Sequence, residues 1–204
     1  MIYRFKTDQL LPGDILAGRS QARLGRAIRG ILGSFTNHNA LILKHNTRGW
    51  CIGDTVSPKS SIVPLSHYED LVNNGLYEIR VWRVVDASDD ERMMASMYWQ
   101  QHCDGIPYDW INLGRMWVFR FTNSLPYQIR KRSQKTFCTK NTFEAWRKGP
   151  CIDPLLKDDG RKKKNPTPRT PENRLAQGTL INVSSLVFGL VPERVTVCPG
   201  LLTS

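Results

Sequence analysis

A histidine that opens an apolar strand, and a cysteine that opens a helix much later, constrain this chain more than any other feature. The first lies in Ser34-Phe-Thr-Asn-His38-Asn-Ala-Leu-Ile-Leu, the second in Phe137-Cys138-Thr-Lys-Asn-Thr-Phe-Glu-Ala-Trp146. A cysteine at a helix start sits at the positive end of the backbone dipole, which favours the thiolate. A fold that sets His38 beside Cys138 makes an activated nucleophile with its base.

The rest of the pattern says what surrounds that pair. Leu11-Pro-Gly-Asp-Ile-Leu-Ala-Gly18 reads as a turn and a short strand. Residues 20–32 predict an amphipathic helix: Leu24, Ile28 and Ile31 repeat at helical spacing, and Arg19, Arg23 and Arg26 repeat it on another face. Strands are expected at 39–44, 49–54 and 61–65. Ser66-His-Tyr-Glu69 has capping-box spacing and opens a short helix that Gly75 ends. Tyr77–Val85 alternates as a strand does. Ser88-Asp-Asp-Glu91 is a second capping box, opening a helix whose Met94, Met97, Tyr98 and Gln101 form the expected core side. The Cys138 helix is expected to run to Arg147 and stop at Gly149-Pro150. Residues 157–174 are rich in Lys, Pro and Asp and read as an exposed basic loop. Residues 180–191 and 194–197 read as an edge strand or packing segment. The expectation is one domain over 1–204.

Composition narrows the partners. With 40% apolar residues and six Trp in 204, the chain can bury a substantial core. No window approaches ~18 uninterrupted apolar residues, and the first residues lack a signal-peptide core. Five cysteines without paired spacing suggest reduced thiols, so a cytoplasmic protein is expected. Of the net charge of +11, residues 157–169 supply +4, from six basic residues against two aspartates. No acid lies between Asp109 and Glu144, whereas Arg115, Arg120, Arg130, Lys131, Arg132, Lys135 and Lys140 do. Such a field attracts nucleic acid, an anionic membrane or cell-wall polymer, or an anionic substrate; equally, it serves solubility.

Taken in order, Gly13-Asp14-Ile-Leu, His38 opening a strand, Asp54 ending the next, Tyr108-Asp109, and Phe-Cys138-Thr opening a helix resemble the circularly permuted NlpC-type papain-like cysteine hydrolases. These are related to the lecithin retinol acyltransferase group. The similarity runs over residues 11–148. It implies an α+β papain-like fold, a small antiparallel sheet packed against the helix that carries the cysteine. It also implies Cys138 as nucleophile, His38 as base and Asp54 as the group that orients the imidazole. The backbone N–H of Cys138 would supply one oxyanion donor; Tyr108 is the candidate for a second. Substrates implied are peptide bonds of peptidoglycan, or fatty acyl amides and esters, cleaved through a thioester or transferred to an amine or alcohol. The family's usual Tyr-Cys-Ser-Glu-Leu is Phe137-Cys138-Thr139-Lys140-Asn141 here. Losing that acid makes the first turn more positive. A wall-directed enzyme without a leader would fit a phage-borne protein released by lysis.

Competing readings rest on other residues. Arg19, Arg23, Arg26 and Lys140 are candidates for holding an anionic substrate. On a non-catalytic scaffold, the same arginines and the 157–169 loop would hold nucleic acid or an anionic membrane. Trp117, Phe119, Phe121 and Tyr127 interleave with Arg115, Arg120 and Arg130, as on a single-strand nucleic-acid surface. The same composition suits an element with one buried aromatic face. Cys51, Cys103, Cys151 and Cys198 read as small buried hydrophobes; His45 and His67 read as surface residues. Asp14 reads as a turn cap, and Asp109 as a helix cap. His102-Cys103-Asp104 lacks the partners of a metal site, so neither metal nor cofactor is expected.

Overall fold

The computed structural model describes residues 2–32, 35–111, 114, 135–136, 138–152 and 180–191. In chain order these form β1 (Ile2–Phe5), β2 (Ile15–Ser20), α1 (Arg23–Leu32), β3 (His38–His45), β4 (Gly49–Thr55) and β5 (Ser60–Pro64). There follow α2 (Leu65–Asn73), β6 (Tyr77–Val84), α3 (Asp89–His102), α4 (Cys138–Lys148), β7 (Leu180–Asn182), α5 (Ser184–Val187) and β8 (Phe188–Val191). The fold is α+β. Six strands make an antiparallel sheet in the order β5-β4-β3-β2-β6-β7, and β1 pairs with β8 in a separate ribbon.

Alternation along the strands sorts side chains to two faces. Ile15, Ala17, Leu41, Leu43, Trp82 and Val84 share a buried cluster with Ala95 and Trp99 of α3 and with Phe143, Ala145 and Trp146 of α4. Leu16, Ala40, Ile42, Ile52 and Val81 join Leu65 and Tyr68 of α2 and Val187 of α5 on the other face. Both faces of the central strands are therefore covered, which is why β3 reads as a nearly unbroken apolar run. α4 is pinned through Trp146, whose Nε1–H donates to the Gly13 carbonyl at 3.1 Å. Gly13 has φ +81°, and a Cβ there would stand 2.5 Å from the Trp146 ring. That close approach sets the depth at which the helix, and Cys138 at its start, meets the sheet.

Local signals decide where the helices begin. The Ser88–Glu91 capping box forms in full, with the Ser88 side chain accepting from the Glu91 N–H and Glu91 accepting from the Ser88 N–H. The Ser66–Glu69 box does not form. α2 starts two residues earlier than that box requires, at Leu65, with Pro64 as a fixed extended residue at the cap. α1 starts at Arg23, so Arg19 lies in β2 rather than on a helix face with Arg23 and Arg26. The buried side of α3 is Arg92, Ala95, Ser96 and Trp99, while Met94 and Met97 are each 48% exposed. The expected methionine core is thus turned to the opposite face. Cys51 and Cys103 are buried as expected, but Cys151 is exposed. The Trp117–Tyr127 aromatics, Cys198, the segments 157–174 and 194–197, and Arg115, Arg120, Arg130, Lys131 and Arg132 lie outside the described residues.

Candidate active site

The site forms where β3 and β4 part. Their ladder runs from His45↔Gly49 to Leu41↔Gly53, although β3 begins at His38 and β4 continues to Thr55. His38 shares the strand parity of Ala40 and Ile42, and Asp54 that of Ile52, so both turn towards the α2 face. His38 Nε2 stands 2.6 Å from Asp54 Oδ1, with both side chains buried. The Tyr68 hydroxyl of α2 faces Asp54 and favours its ionised form. Burial alone would raise the Asp54 carboxyl, but the charge and hydrogen bond of His38, with Tyr68 and the Thr55 N–H, hold it below its ordinary value. The group stays ionised.

Cys138 arrives from the opposite layer. It is 6% exposed at the first position of α4, whose first turn has no acid and whose last turn carries Arg147 and Lys148. The charge of His38 and the nearby Asn39 N–H both favour its deprotonated sulfur. With Nε2 taken by Asp54, Nδ1 is the His38 nitrogen left for the sulfur. The Asn39 N–H is available because β4 does not pair that far along β3. Thr139 Oγ1 lies 3.7 Å from Cys138 Sγ, within sulfur hydrogen-bond distance. Burial pushes the thiol up, and the His38 charge together with these donors more than reverses it, leaving the Cys138 pKa lowered. His38 moves the other way. Burial would lower it, but negative charge on Tyr77, Asp54 and Cys138 raises it well above its ordinary value. Tyr77 is itself pushed up to about 12 by burial and stays protonated at neutral pH, so Asp54 and the thiolate carry the effect there. Both shifts favour the form of the pair in which the sulfur is deprotonated and the imidazole protonated.

Neutral side chains lock the two halves together. Asn141 Nδ2 donates to Thr55 Oγ1 at 3.0 Å and to Ser60 Oγ at 2.9 Å, tying α4 to β4 and β5. Its Oδ1 accepts from Thr136 Oγ1 at 2.7 Å. Asn39 Nδ2 donates to Thr139 Oγ1 at 3.1 Å. Gly18, paired with His38 across β2 and β3, leaves room for the Tyr77 ring: a Cβ there would lie 2.1 Å from a ring carbon.

The structure thus brings together the three residues expected for catalysis. Tyr108 is near them: it is half-buried, bridges to Thr136, and has its hydroxyl pushed up by burial and by the charges of Cys138 and Asp54. The anion-binding candidates separate. Arg19 pairs with Glu78 at 3.2 Å and lies over the Phe35 ring, whereas Arg23 and Arg26 are exposed on α1. Lys140 donates to the Lys135 carbonyl at 3.4 Å. Asp14 is fully buried and caps the Leu11 N–H as expected, but its stronger partner is Arg83, at 2.6 Å. His67 and His102 are exposed, and the His67 ring meets the Tyr68 ring edge-on. Sequence reasoning missed Tyr68, Tyr77 and Asn141 as site residues. Asn39 and Thr139 were detectable only as the chain neighbours of His38 and Cys138.

No family model matches the chain, and no curated protein does. Among solved structures, it is similar to the metalloprotein YiiX from Escherichia coli O157:H7 (DUF1105) at 16% identity and a TM-score of 0.56. The likeness covers 86% of this chain and 97% of that one. At this identity the resemblance is one of fold: the α+β architecture with its antiparallel sheet is shared.

Proposed function

We propose that the protein is a cysteine hydrolase, an amidase, peptidase or acyl hydrolase with a permuted papain-like arrangement. The observation that carries this reading is the buried Cys138–His38–Asp54 set, in which thiol and imidazole shift in opposite directions. The Cys138 thiolate attacks a carbonyl carbon. The oxyanion forms beside the Cys138 N–H, with Tyr108 as candidate second donor. As the tetrahedral intermediate collapses, the carbon–nitrogen or carbon–oxygen bond breaks, and His38 Nδ1–H protonates the departing amine or alkoxide. A thioester remains. Water, deprotonated by His38, then attacks the thioester and releases a carboxylate and the thiolate; an amine or alcohol in place of water makes the step an acyl transfer. Asp54 holds the Nε2–H through both halves.

The sequence resemblance favours peptidoglycan peptides or acyl amides and esters as substrates. The acid-free start of α4 favours an anionic one. The structural neighbour YiiX is a metalloprotein. In this chain His38 Nε2 is already on Asp54, which leaves Nδ1 as the free ring nitrogen.

The test uses p-nitrophenyl esters of increasing acyl length, with intact mass measured during turnover. The expected result is a burst of nitrophenolate and an acyl adduct mapped to Cys138. Nitrophenolate release no faster than that of Cys138→Ala across the series would defeat the reading.

A further inference from the structure

We infer that Asn39 and Thr139 form a directed hydrogen-bond relay that points a hydroxyl proton at the Cys138 sulfur and is a positioning device for the nucleophile. The inference rests on the hydrolase reading and concerns residues that the catalytic set does not include.

The direction follows from donor and acceptor inventory. An asparagine Nδ2 can only donate, so at 3.1 Å it must give a proton to Thr139 Oγ1. With an oxygen lone pair engaged that way, the one hydroxyl proton of Thr139 is free to point elsewhere, and Cys138 Sγ lies 3.7 Å away. Sulfur and hydroxyl could in principle exchange roles; the Asn39 donor breaks that symmetry in favour of O–H to sulfur. Both members are fully buried, so water does not compete. Asn39 Oδ1 has no partner among the described residues. Through Thr139, the Asn39 side chain is linked to the sulfur, and its N–H favours the thiolate as well.

The relay acts on a group that also faces charges from several elements: His38 on β3, Asp54 on β4, Tyr68 on α2, Tyr77 on β6, and Tyr108 before α4. None of these is altered by changing Thr139 to its isostere. The pH profile of Cys138 alkylation by iodoacetamide, measured on Thr139→Val, Thr139→Ser and wild type, therefore isolates the relay. Loss of one hydrogen bond to a charged group raises the apparent thiol pKa by about 1 pH unit, so alkylation below it falls about tenfold. Thr139→Ser restores the wild-type profile, which a purely packing role would not. Asn39→Leu shifts the profile in the same direction by less, because Thr139 keeps its proton but loses the donor that aims it. Thr139→Ala gives the same answer as Thr139→Val if the latter folds poorly. Superimposable wild-type and Thr139→Val profiles, with the wild-type thiol lowered and dependent on His38, overturn the relay but leave the hydrolase reading standing. A wild-type profile with an ordinary thiol pKa overturns both.

Discussion

The two halves of the site are built from different chemistry. On the α2 face, His38 is held by a carboxylate and surrounded by phenols: Asp54 at 2.6 Å, Tyr68 on Asp54, and Tyr77 over Gly18. On the α4 side, Cys138 is held by amides and hydroxyls: Asn39, Thr139, and the Thr136–Asn141–Thr55–Ser60 network. Charge sets protonation in the first half, while neutral hydrogen bonds set position in the second. A buried carboxylate can raise an imidazole strongly. A second buried carboxylate near the sulfur would instead oppose the thiolate. The acid-free first turn of α4 avoids that conflict.

Replacements should separate the two halves, beginning with the largest effect. His38→Ala removes the general base and lowers turnover by about 10²–10⁴-fold, read from kcat on an activated ester. It also raises the thiol pKa, whose lowering depends first on His38 once burial is set aside. Asp54→Asn preserves an acceptor for the Nε2–H but deletes the charge. The alkaline limb of activity, where His38 loses its proton, should therefore move down by about 1–3 pH units. A limb that stays in place would show that Asp54 does not support the imidazolium.

Asn141→Leu tests the neutral half. Three hydrogen-bond partners lose their common centre, so urea unfolding should show a loss of about 2–3 kcal/mol. The alkaline limb of any residual activity should not move. Tyr68→Phe is the smallest change, about 1–2 kcal/mol from one hydrogen bond to a charged group. Its sign in pH is definite. Asp54 has a lowered folded-state pKa, so its contribution to stability is present above the ordinary value near ~3.9 and lost as pH falls through the folded one. Without Tyr68 the folded-state value rises, so the contribution is smaller and is lost completely at a higher pH, which acid unfolding monitored by fluorescence would detect.

The elements that positioned the site were legible where local chemistry decided them. β3, β4, β6, the α3 cap and the start of α4 follow from alternation, a complete capping box and a polar-to-helical switch. His38 and Cys138 were legible because each opens such an element, whereas Asp54 was legible only through the family resemblance. What could not be read is what depends on partners distant in sequence. The ribbon of β1 with β8 joins the two ends of the described chain. Tyr68 enters the site because α2 covers the His38 face, which no spacing records. Arg19 illustrates the other kind of miss: its spacing to Arg23 and Arg26 is helical, yet β2 continues through Ser20 to pair with Tyr77. Met94 and Met97 were expected inside because they repeat at helical spacing, but Trp99 packs over Gly53, so Arg92, Ala95, Ser96 and Trp99 face the sheet instead.

The central claim, that Cys138 and His38 form a thiolate–imidazolium pair, is tested most directly by the pH dependence of iodoacetamide alkylation in wild type and His38→Ala, with sites located by mass spectrometry. The account predicts that Cys138 outpaces the other cysteines, titrates well below the ~8.5 of a free thiol, and loses this advantage without His38. A Cys138 that reacts no faster than Cys51 or Cys103, or that ignores the loss of His38, would contradict it.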